Sequence, residues 1–295
     1  MTFPVNVSDL TRIISLVVLA CLLQACSAAK LAYNQAPELA YFYLDGLVDF
    51  SGEQSVQVKN DLHKLQAWHR QTQLPIYIDT LQKIQQKIPL DVNAQDACNI
   101  LSDVRSKFVV LSDQAQPSVV AILDTLAPSQ LDAMARKFEK GNADFRKDYL
   151  HTAKPAHQTK RYKQTVSRAE KLYGRLDDKQ IALIATQIET SRFDAKLAYS
   201  ERQRRQQDTL QTLRSVIKNQ PTSDQKRLAV RGMFERALMS PNPNYADYAE
   251  ALTKENCKNF ADLHNTTTVN QRRKAIENLM GYEHDMKTLL AQGNG

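Results

Sequence analysis

The feature that most constrains the fold is a short pattern of a small polar residue followed by glutamine three positions later, placed ahead of a run with helical spacing. It occurs as Ser51 with Gln54, Asp177 with Gln180, Thr222 with Gln225 and Thr268 with Gln271, and in a weaker form without a capping oxygen as Ala127 with Gln130. The capping oxygen accepts a hydrogen bond from the third helical amide, while the glutamine reaches back to the amide of the cap. The pattern therefore predicts five helix starts.

The segments after these starts each carry one apolar stripe, such as Leu131, Met134 and Phe138. No segment shows sustained alternation of β-branched residues, and only 8 of the 295 residues are glycine. Abundant Gln, Leu, Ala, Lys and Arg favour helices because their side chains lose little freedom there. We expect an all-α protein, either a multi-helix bundle or stacked helical hairpins, with eight to ten helices. The starts at 177, 222 and 268 are 45 and 46 residues apart, which hints at repeated hairpins.

Proline residues predict the helix boundaries, because proline removes an amide donor and restricts the residue before it. Breaks are expected at Pro75, Pro89, Pro117, Pro155, Pro221 and Pro241–Pro243. Between them, segment 178–218 has no proline, and we expect one long helix whose charged middle, Glu201 to Arg205, is exposed.

The N-terminus has the features of a lipoprotein signal. Residues 13–23 form an apolar run of eleven, too short to span a bilayer but typical of a signal peptide. Leu23 to Cys26 resembles a bacterial lipobox, which implies cleavage before Cys26 and acylation of that cysteine with palmitate-type chains. Ser27 stands where retained inner-membrane lipoproteins commonly have Asp, which favours the periplasmic face of the outer membrane. An ordinary secretory signal or an uncleaved anchor is the alternative.

This interpretation divides the chain into a signal peptide (1–25), a lipidated N-terminal segment (26–50) and a helical periplasmic domain (51–295). Cys98 and Cys257 then remain, and an oxidising periplasm permits a disulfide between them. Closing so long a loop contributes about 4 to 5 kcal/mol in the chain-entropy model. Two buried free thiols are the alternative. We expect no metal or cofactor, since neither cysteine has a second Cys or His at ligand spacing.

The basic residues are concentrated in one stretch. Residues 146–175 contain nine basic and two acidic residues, a difference equal to the formal net charge of +7. The residues proposed to bind an anionic partner are Arg146, Lys147, Lys154, Lys160, Arg161, Lys163, Arg168 and Lys171. In the periplasm this partner is an acidic protein surface or an anionic lipid rather than nucleic acid. A solvated helix face is the other interpretation.

A strip of aromatic and apolar residues follows the lipobox within a few residues. It consists of Tyr33, Leu39, Tyr41, Phe42, Tyr43 and Leu47. Such rings suit a lipid headgroup boundary, so the strip could lie on the membrane. Alternatively it packs into the body as its first element, which Pro37 and a turn at Asp45–Gly46 favour.

Few residues suggest catalysis. No two of the six histidines flank a glutamate at the spacing of a metalloprotease, and there is no nucleophile elbow, phosphate-binding loop or dinucleotide fingerprint. His264, beside Asn265 and a threonine cluster, is the best candidate for a polar site. A histidine in that position is more often hydrogen-bonded at a helix end. We therefore expect a protein that is not an enzyme.

Three blocks of sequence resemble one family. They are residues 30–50, from Lys30 through Tyr33-Asn34-Gln35-Ala36-Pro37 to Phe50, then Trp68 to Tyr77, and finally Leu263 to Arg272. Together they are similar to the proteobacterial lipoproteins catalogued as domain of unknown function 6279. The resemblance implies lipidation and a helical periplasmic body, and it carries no established activity.

The sequence thus predicts a lipid-tethered, non-enzymatic protein that binds envelope proteins or anionic lipid through its helical domain. The alternative is a chaperone-like binder of unfolded outer-membrane clients, which requires an exposed apolar surface. The sequence does not indicate the oligomeric state.

Overall fold

The structure, a computed structural model, describes residues 29–151 and 154–292, and this part of the chain is helical and contains no strand. Residues 29–34 form a short first helical segment. The α-helices that follow are α1 (Ala36–Val48), α2 (Gly52–Thr72), α3 (Leu74–Lys87), α4 (Ala94–Leu123), α5 (Pro128–Phe145), α6 (Lys154–Tyr173), α7 (Asp178–Glu189), α8 (Ala195–Asn219), α9 (Ser223–Leu238), α10 (Pro243–Asn265) and α11 (Val269–Gln292). A π-helical turn, Arg146–Leu150, continues α5. The all-α prediction is confirmed, with slightly more helices than the eight to ten expected.

The helices enclose two hydrophobic cores. The first core, formed by α1, α4, α5, α8 and α9, includes Leu131 and Val230, which are almost fully buried. The second core, formed by α6, α7, α10 and α11 with the end of α3, includes Ile184 and Ala275. Helix α4, with 30 residues, is about 45 Å long. It therefore reaches from Leu123 in the first core to its own start beside α10.

A disulfide fixes the start of α4 to α10. Cys98 and Cys257 are bonded across a sequence separation of 159 residues. The predicted pairing is confirmed, and the free-thiol alternative is not what the structure shows. Because the bond joins a helix of the first core to a helix of the second, it limits how far the two cores can separate.

Most of the predicted proline breaks coincide with helix ends, and one does not. Pro117 lies inside α4, which continues unbroken to Leu123. A proline within a helix costs about 3 kcal/mol. Here Val120 and Leu123, in the turn that follows, are buried in the first core. We attribute the continuation of the helix to this burial. The rule that proline ends a helix considers only the local backbone and takes no account of burial.

The prediction of one long helix over 178–218 is wrong. Helix α7 ends at Glu189, and α8 begins after Asp194, whose side chain accepts hydrogen bonds from the amides of Lys196 and Leu197. The connection is attached to α10, because Glu255 accepts hydrogen bonds from the Ser191 hydroxyl and the Arg192 amide. The separation of α7 from α8 thus depends on a helix cap and a tertiary contact. The sequence there contains no proline or glycine that would predict it.

The segment Glu201 to Arg205 is predicted from the sequence to be exposed, but Glu201, its first residue, is buried. The Glu201 carboxylate accepts hydrogen bonds from Arg204, Arg205 and the Ser240 hydroxyl. Burial raises the pKa of Glu201, but these hydrogen bonds outweigh it and set the pKa at about 2. Arg204 also donates to the carbonyl of Arg236 at 2.7 Å, so the cluster fastens α8 to the end of α9.

Two of the predicted helix starts meet beside the first core. At both starts the glutamine carbonyl accepts from its own cap amide, as in a capping box. The two side-chain amides also exchange hydrogen bonds, at 2.8 and 3.2 Å. Gln54 donates to the Thr125 carbonyl at 2.7 Å, and Gln130 donates to the Asp49 carbonyl at 2.8 Å. Each glutamine thus bonds the cap amide of its own helix and also a backbone carbonyl just before the start of the other helix.

The same arrangement recurs beside the second core. Gln180 and Gln271 exchange hydrogen bonds at 2.8 and 2.9 Å. Gln180 donates to the Thr266 carbonyl, and Gln271 donates to the Arg175 carbonyl. In both pairs the bonded carbonyl lies two residues before the cap of the partner helix. We call the two arrangements the capping-glutamine pairs.

The fifth start, at Thr222, also forms a capping box, but its Gln225 is exposed and bonds only within that box. The 45- to 46-residue spacing therefore does not correspond to the pairing in the structure, which joins starts 51 with 127 and 177 with 268.

Replacing Gln180 by alanine is expected to lower the free energy of unfolding by about 3 kcal/mol, because it removes four partly buried hydrogen bonds to the Asp177 amide, the Thr266 carbonyl and the Gln271 side chain. Gln225→Ala is the matched control, since it removes the same residue type from an exposed box and is expected to cost less than about 1 kcal/mol. Urea unfolding followed by circular dichroism measures both. Equal losses for the two variants would contradict the role assigned to the pair.

Candidate functional site

A cleft of about 500 Å³ opens between α6, α7 and α10, on the outside of the second core. Its lining residues are Arg161, Gln164, Thr165, Arg168, Ala169, Leu172, Tyr173, Gln187, Ile188, Phe193, Leu252, Asn256, Asn259, Phe260 and Leu263. This volume lies within the range of small-molecule and peptide side-chain sites.

The floor of the cleft is apolar and its rim is polar. Tyr173 and Leu263 at the floor are buried in the second core, whereas Phe260 at the rim is 38% exposed. The α6 residues that face the cleft recur at positions 161, 164, 165, 168, 169 and 172, which is one face of a helix. The same spacing places Lys163 on the opposite face of α6.

Arg161 is held rigidly at one end of the cleft. Its guanidinium lies 4.5 Å from the centre of the Phe193 ring and donates to the Ser191 hydroxyl at 2.8 Å. That hydroxyl in turn donates to Glu255 at 2.6 Å. Burial lowers the pKa of Arg161, and the neighbouring Glu255 opposes this effect. Half-buried and fixed by these contacts, Arg161 presents a preorganised positive charge.

Several polar side chains in the cleft have no partner within the described chain. Arg168, Gln164, Asn256 and Asn259 make no side-chain hydrogen bond or ion pair with any described residue. Arginine matches a carboxylate or phosphate with two parallel hydrogen bonds, and each amide offers donors and an acceptor. The cleft can therefore hold an anionic group beside an amide-rich chain, with an apolar part against the floor.

The structure divides the predicted basic segment among different roles. Arg161 and Arg168 line the cleft. Arg146 is bonded to Glu139 and to the Tyr199 hydroxyl, and Lys160 to Asp148 at 2.6 Å.

The other members of the segment do not form one surface with these. Lys163 and Lys171 are exposed. Lys147 also interacts within the protein, and the side chain of Lys154 lies outside the described residues. The segment is thus not a single basic face, and its binding of an anionic partner stays a prediction. Cys26 also lies outside the described residues.

His264 does not open onto a polar pocket in the structure. It is fully buried in the last turn of α10. Its Nε2 lies 2.9 Å from the Leu90 carbonyl and its Nδ1 lies 2.8 Å from the Tyr173 hydroxyl. Because a carbonyl only accepts, Nε2 carries a proton. The lowered pKa of His264 favours the neutral imidazole, and in that form Nδ1 accepts from the Tyr173 hydroxyl. Burial lowers the pKa of His264 and raises that of Tyr173.

Metal-binding clusters and membrane-spanning helices are both absent from the part of the chain that the structure describes. Its residues include no group of three or more His, Cys, Asp or Glu arranged to hold a metal ion. None of the described helices combines the length and apolarity that a membrane span needs.

A second groove is almost wholly apolar. It encloses about 380 Å³ between α3, α4 and α11 and is lined by Tyr77, Leu81, Ile84, Val104, Phe108 and Met286, among others. On α4 the side chain of Phe108 is 58% exposed, so the groove opens to solvent.

The amide and aromatic residues of the cleft were not singled out from the sequence. Asn256, Asn259 and Phe260 share one face of α10, but no local pattern separates them from other exposed polar residues. Their importance arises only because α10 packs near α6, a pairing that the chain order does not reveal.

Residues 46–242 match the model of a family of unknown function, DUF6279. The chain therefore belongs to this family, as the sequence resemblance implied. The match includes the block around Trp68, whereas the block at 263–272 and most of residues 30–50 lie outside it. No curated protein and no solved structure matches the chain.

The buried neutral histidine predicts a pH dependence of stability. The folded-state pKa of His264 lies below its unfolded value of about 6.5, so its contribution is complete above that pH and is lost as the pH falls. The expected loss is at most about 1.4 kcal/mol per pH unit for this one proton. His264→Asn is expected to be less stable at pH 7.5 and to decline less steeply toward pH 5.5.

His69 also has a lowered pKa from burial, so part of the decline remains in the variant. His284→Asn, at an exposed position, serves as the control and should keep the wild-type slope. Chemical denaturation at several pH values measures these slopes. An unchanged slope in His264→Asn would contradict the assignment.

Proposed function

We propose that this protein is a lipid-tethered, non-enzymatic protein of the periplasmic face of the outer membrane. Its helical body binds an acidic segment of another envelope protein in the cleft between α6, α7 and α10. The lipobox-like Leu23 to Cys26 supports the location, and the cleft supports the binding role.

One observation carries the binding role: Arg168 and three amide side chains lie unpartnered beside an apolar floor. Carboxamides can bond both the N–H and the C=O groups of a peptide backbone. Two arginines supply complementary charge for a carboxylate, and Phe260 supplies a ring against which an apolar side chain can pack. A protein segment offers all three features together, which a lipid phosphate alone does not.

A triple charge reversal at Lys160, Arg161 and Lys163 would not test the cleft alone. Lys160 and Arg161 are bonded to Asp148 and Ser191, so their reversal would also disturb the packing of α6. Arg168 avoids this difficulty because its side chain is exposed and makes no bond with the described chain.

Arg168→Glu in the full-length protein is expected to abolish capture of the partner by a photo-crosslinking residue placed at Gln164 in cells. Lys163→Glu makes the same charge change on the opposite face of α6 and is expected to leave capture intact. Adducts are identified by mass spectrometry. Equal capture by both variants, or no adduct in the wild type, would contradict the proposal. Arg168-dependent binding to anionic vesicles without a protein adduct would favour lipid as the partner.

The apolar groove between α3, α4 and α11 favours a second function, the holding of unfolded outer-membrane clients. Phe108→Asp places a charge at its exposed edge and is expected to reduce the suppression of aggregation of a denatured outer-membrane protein. Leu228→Asp, at a 69% exposed position on α9 outside this groove, is the control. Light scattering measures aggregation, and identical curves for both variants would rule out a role for the groove.

A further inference from the structure

Helix α1 carries an apolar stripe on its outer side. Phe42 and Tyr43 are 80% and 75% exposed, and Leu39 is 58% exposed. Leu31, in the preceding helical segment, is 63% exposed. Glu38 lies in the same exposed turn and is paired with His63 of α2 at 3.4 Å. Three large apolar or aromatic side chains within five residues, Leu39, Phe42 and Tyr43, are thus exposed to solvent and are not covered by any described part of the chain.

The other side of α1 packs onto the body. The Tyr41 hydroxyl donates to Ser55 at 2.9 Å, and the Tyr41 ring stacks with Phe50. Leu47 and Val48 contact the first core. The predicted strip therefore divides: part of it packs as expected, while Leu39, Phe42 and Tyr43 do not. The turn expected at Asp45–Gly46 is absent, because both residues lie within α1.

The chain is attached to the body from Lys30 onward. Lys30 pairs with the buried Asp285 of α11 at 3.6 Å. The Tyr33 hydroxyl lies 2.9 Å from Nδ1 of His69, and Arg70 donates to the Asn34 side chain at 2.8 Å. These contacts to α2 and α11 fix the entry of the chain.

This attachment limits the distance between the body and a lipid anchor. Lys30 is four positions after Cys26, and an extended chain over four positions spans at most about 14 Å. If Cys26 carries the lipid, which rests on the proposed function, the surface around the start of the chain lies close to the headgroups. The exposed Leu31 is one residue after Lys30, and the stripe on α1 begins at Leu39, nine residues after Lys30.

We propose that Leu39, Phe42 and Tyr43 form a membrane-docking surface that rests in the headgroup region of the bilayer and sets the orientation of the helical body. Aromatic and aliphatic side chains of this kind partition into that boundary. Phe42 and Tyr43 also line a groove with Lys137 of α5 and Arg205 of α8. Lys137 is exposed and has no partner in the described chain, so it is available to a lipid phosphate.

The test uses the full-length, lipidated protein in nanodiscs that contain anionic lipid, with or without bromine on the acyl chains. Phe42→Cys is labelled with an environment-sensitive fluorophore, since Cys98 and Cys257 are bonded to each other. Val269→Cys is the matched control, because Val269 is 81% exposed and lies at the start of α11, about 24 Å along that helix from Asp285. Brominated lipid is expected to quench the probe at position 42 severalfold more than the probe at 269.

Mass spectrometry of the mature N-terminus shows whether Cys26 is lipidated, and it therefore distinguishes failure of the lipid tether from failure of the docking surface. An unmodified N-terminus would refute the tether and, with it, the membrane location in the proposed function. A lipidated Cys26 with a water-exposed, unquenched probe at position 42 would overturn the docking surface alone. A blue-shifted but unquenched probe would show that protein, and not lipid, covers the stripe. Equal quenching at both positions would contradict a fixed orientation.

Discussion

The fold depends most on the two capping-glutamine pairs. A helix start leaves backbone amides without partners, and it can be buried only if other groups bond them. In each pair both glutamines bond their own cap amide and also a carbonyl at the entry of the partner helix. Two helix starts thereby meet side by side, with one glutamine of each pair, Gln54 or Gln180, buried and no amide group on either glutamine left unpartnered. Each hydrophobic core lies beside one such pair.

The second pair also shapes the cleft. Gln271 bonds the carbonyl of Arg175, two residues after the end of α6, and Gln180 lies in the first turn of α7. The pair thus fixes the direction in which α6 enters the turn to α7. The third wall, α10, is attached independently through Cys257 and through the bonds of Glu255 to the loop before α8. A cleft whose walls are fixed in this way favours preorganised binding, because little conformational freedom is then lost on association.

The fold also separates surfaces of different chemistry. The cleft at α6 combines positive charge, amides and rings, whereas the groove at α3, α4 and α11 is nearly wholly apolar. The exposed stripe of α1 begins at Leu39, 13 residues after the cysteine of the lipobox-like sequence. In the arrangement that we propose, the N-terminal helix meets the membrane and the other two surfaces stay available to separate partners.

The sequence by itself determined the helical class, the five helix starts and most boundaries, because these depend on local backbone chemistry. It left open whether Cys98 and Cys257 are bonded, which the structure decided. It did not determine that α4 continues through Pro117, that α7 and α8 are separate helices, or that Glu201 is buried. It likewise gave Arg161 and Arg168 only as two members of a basic run. Those features arise where residues distant in sequence meet: core burial beyond Pro117, Glu255 against the Ser191 loop, and α10 near α6. Rules based on local sequence do not describe such contacts. Only the tertiary structure could therefore show which charged side chains are paired within the protein and which remain available to a partner.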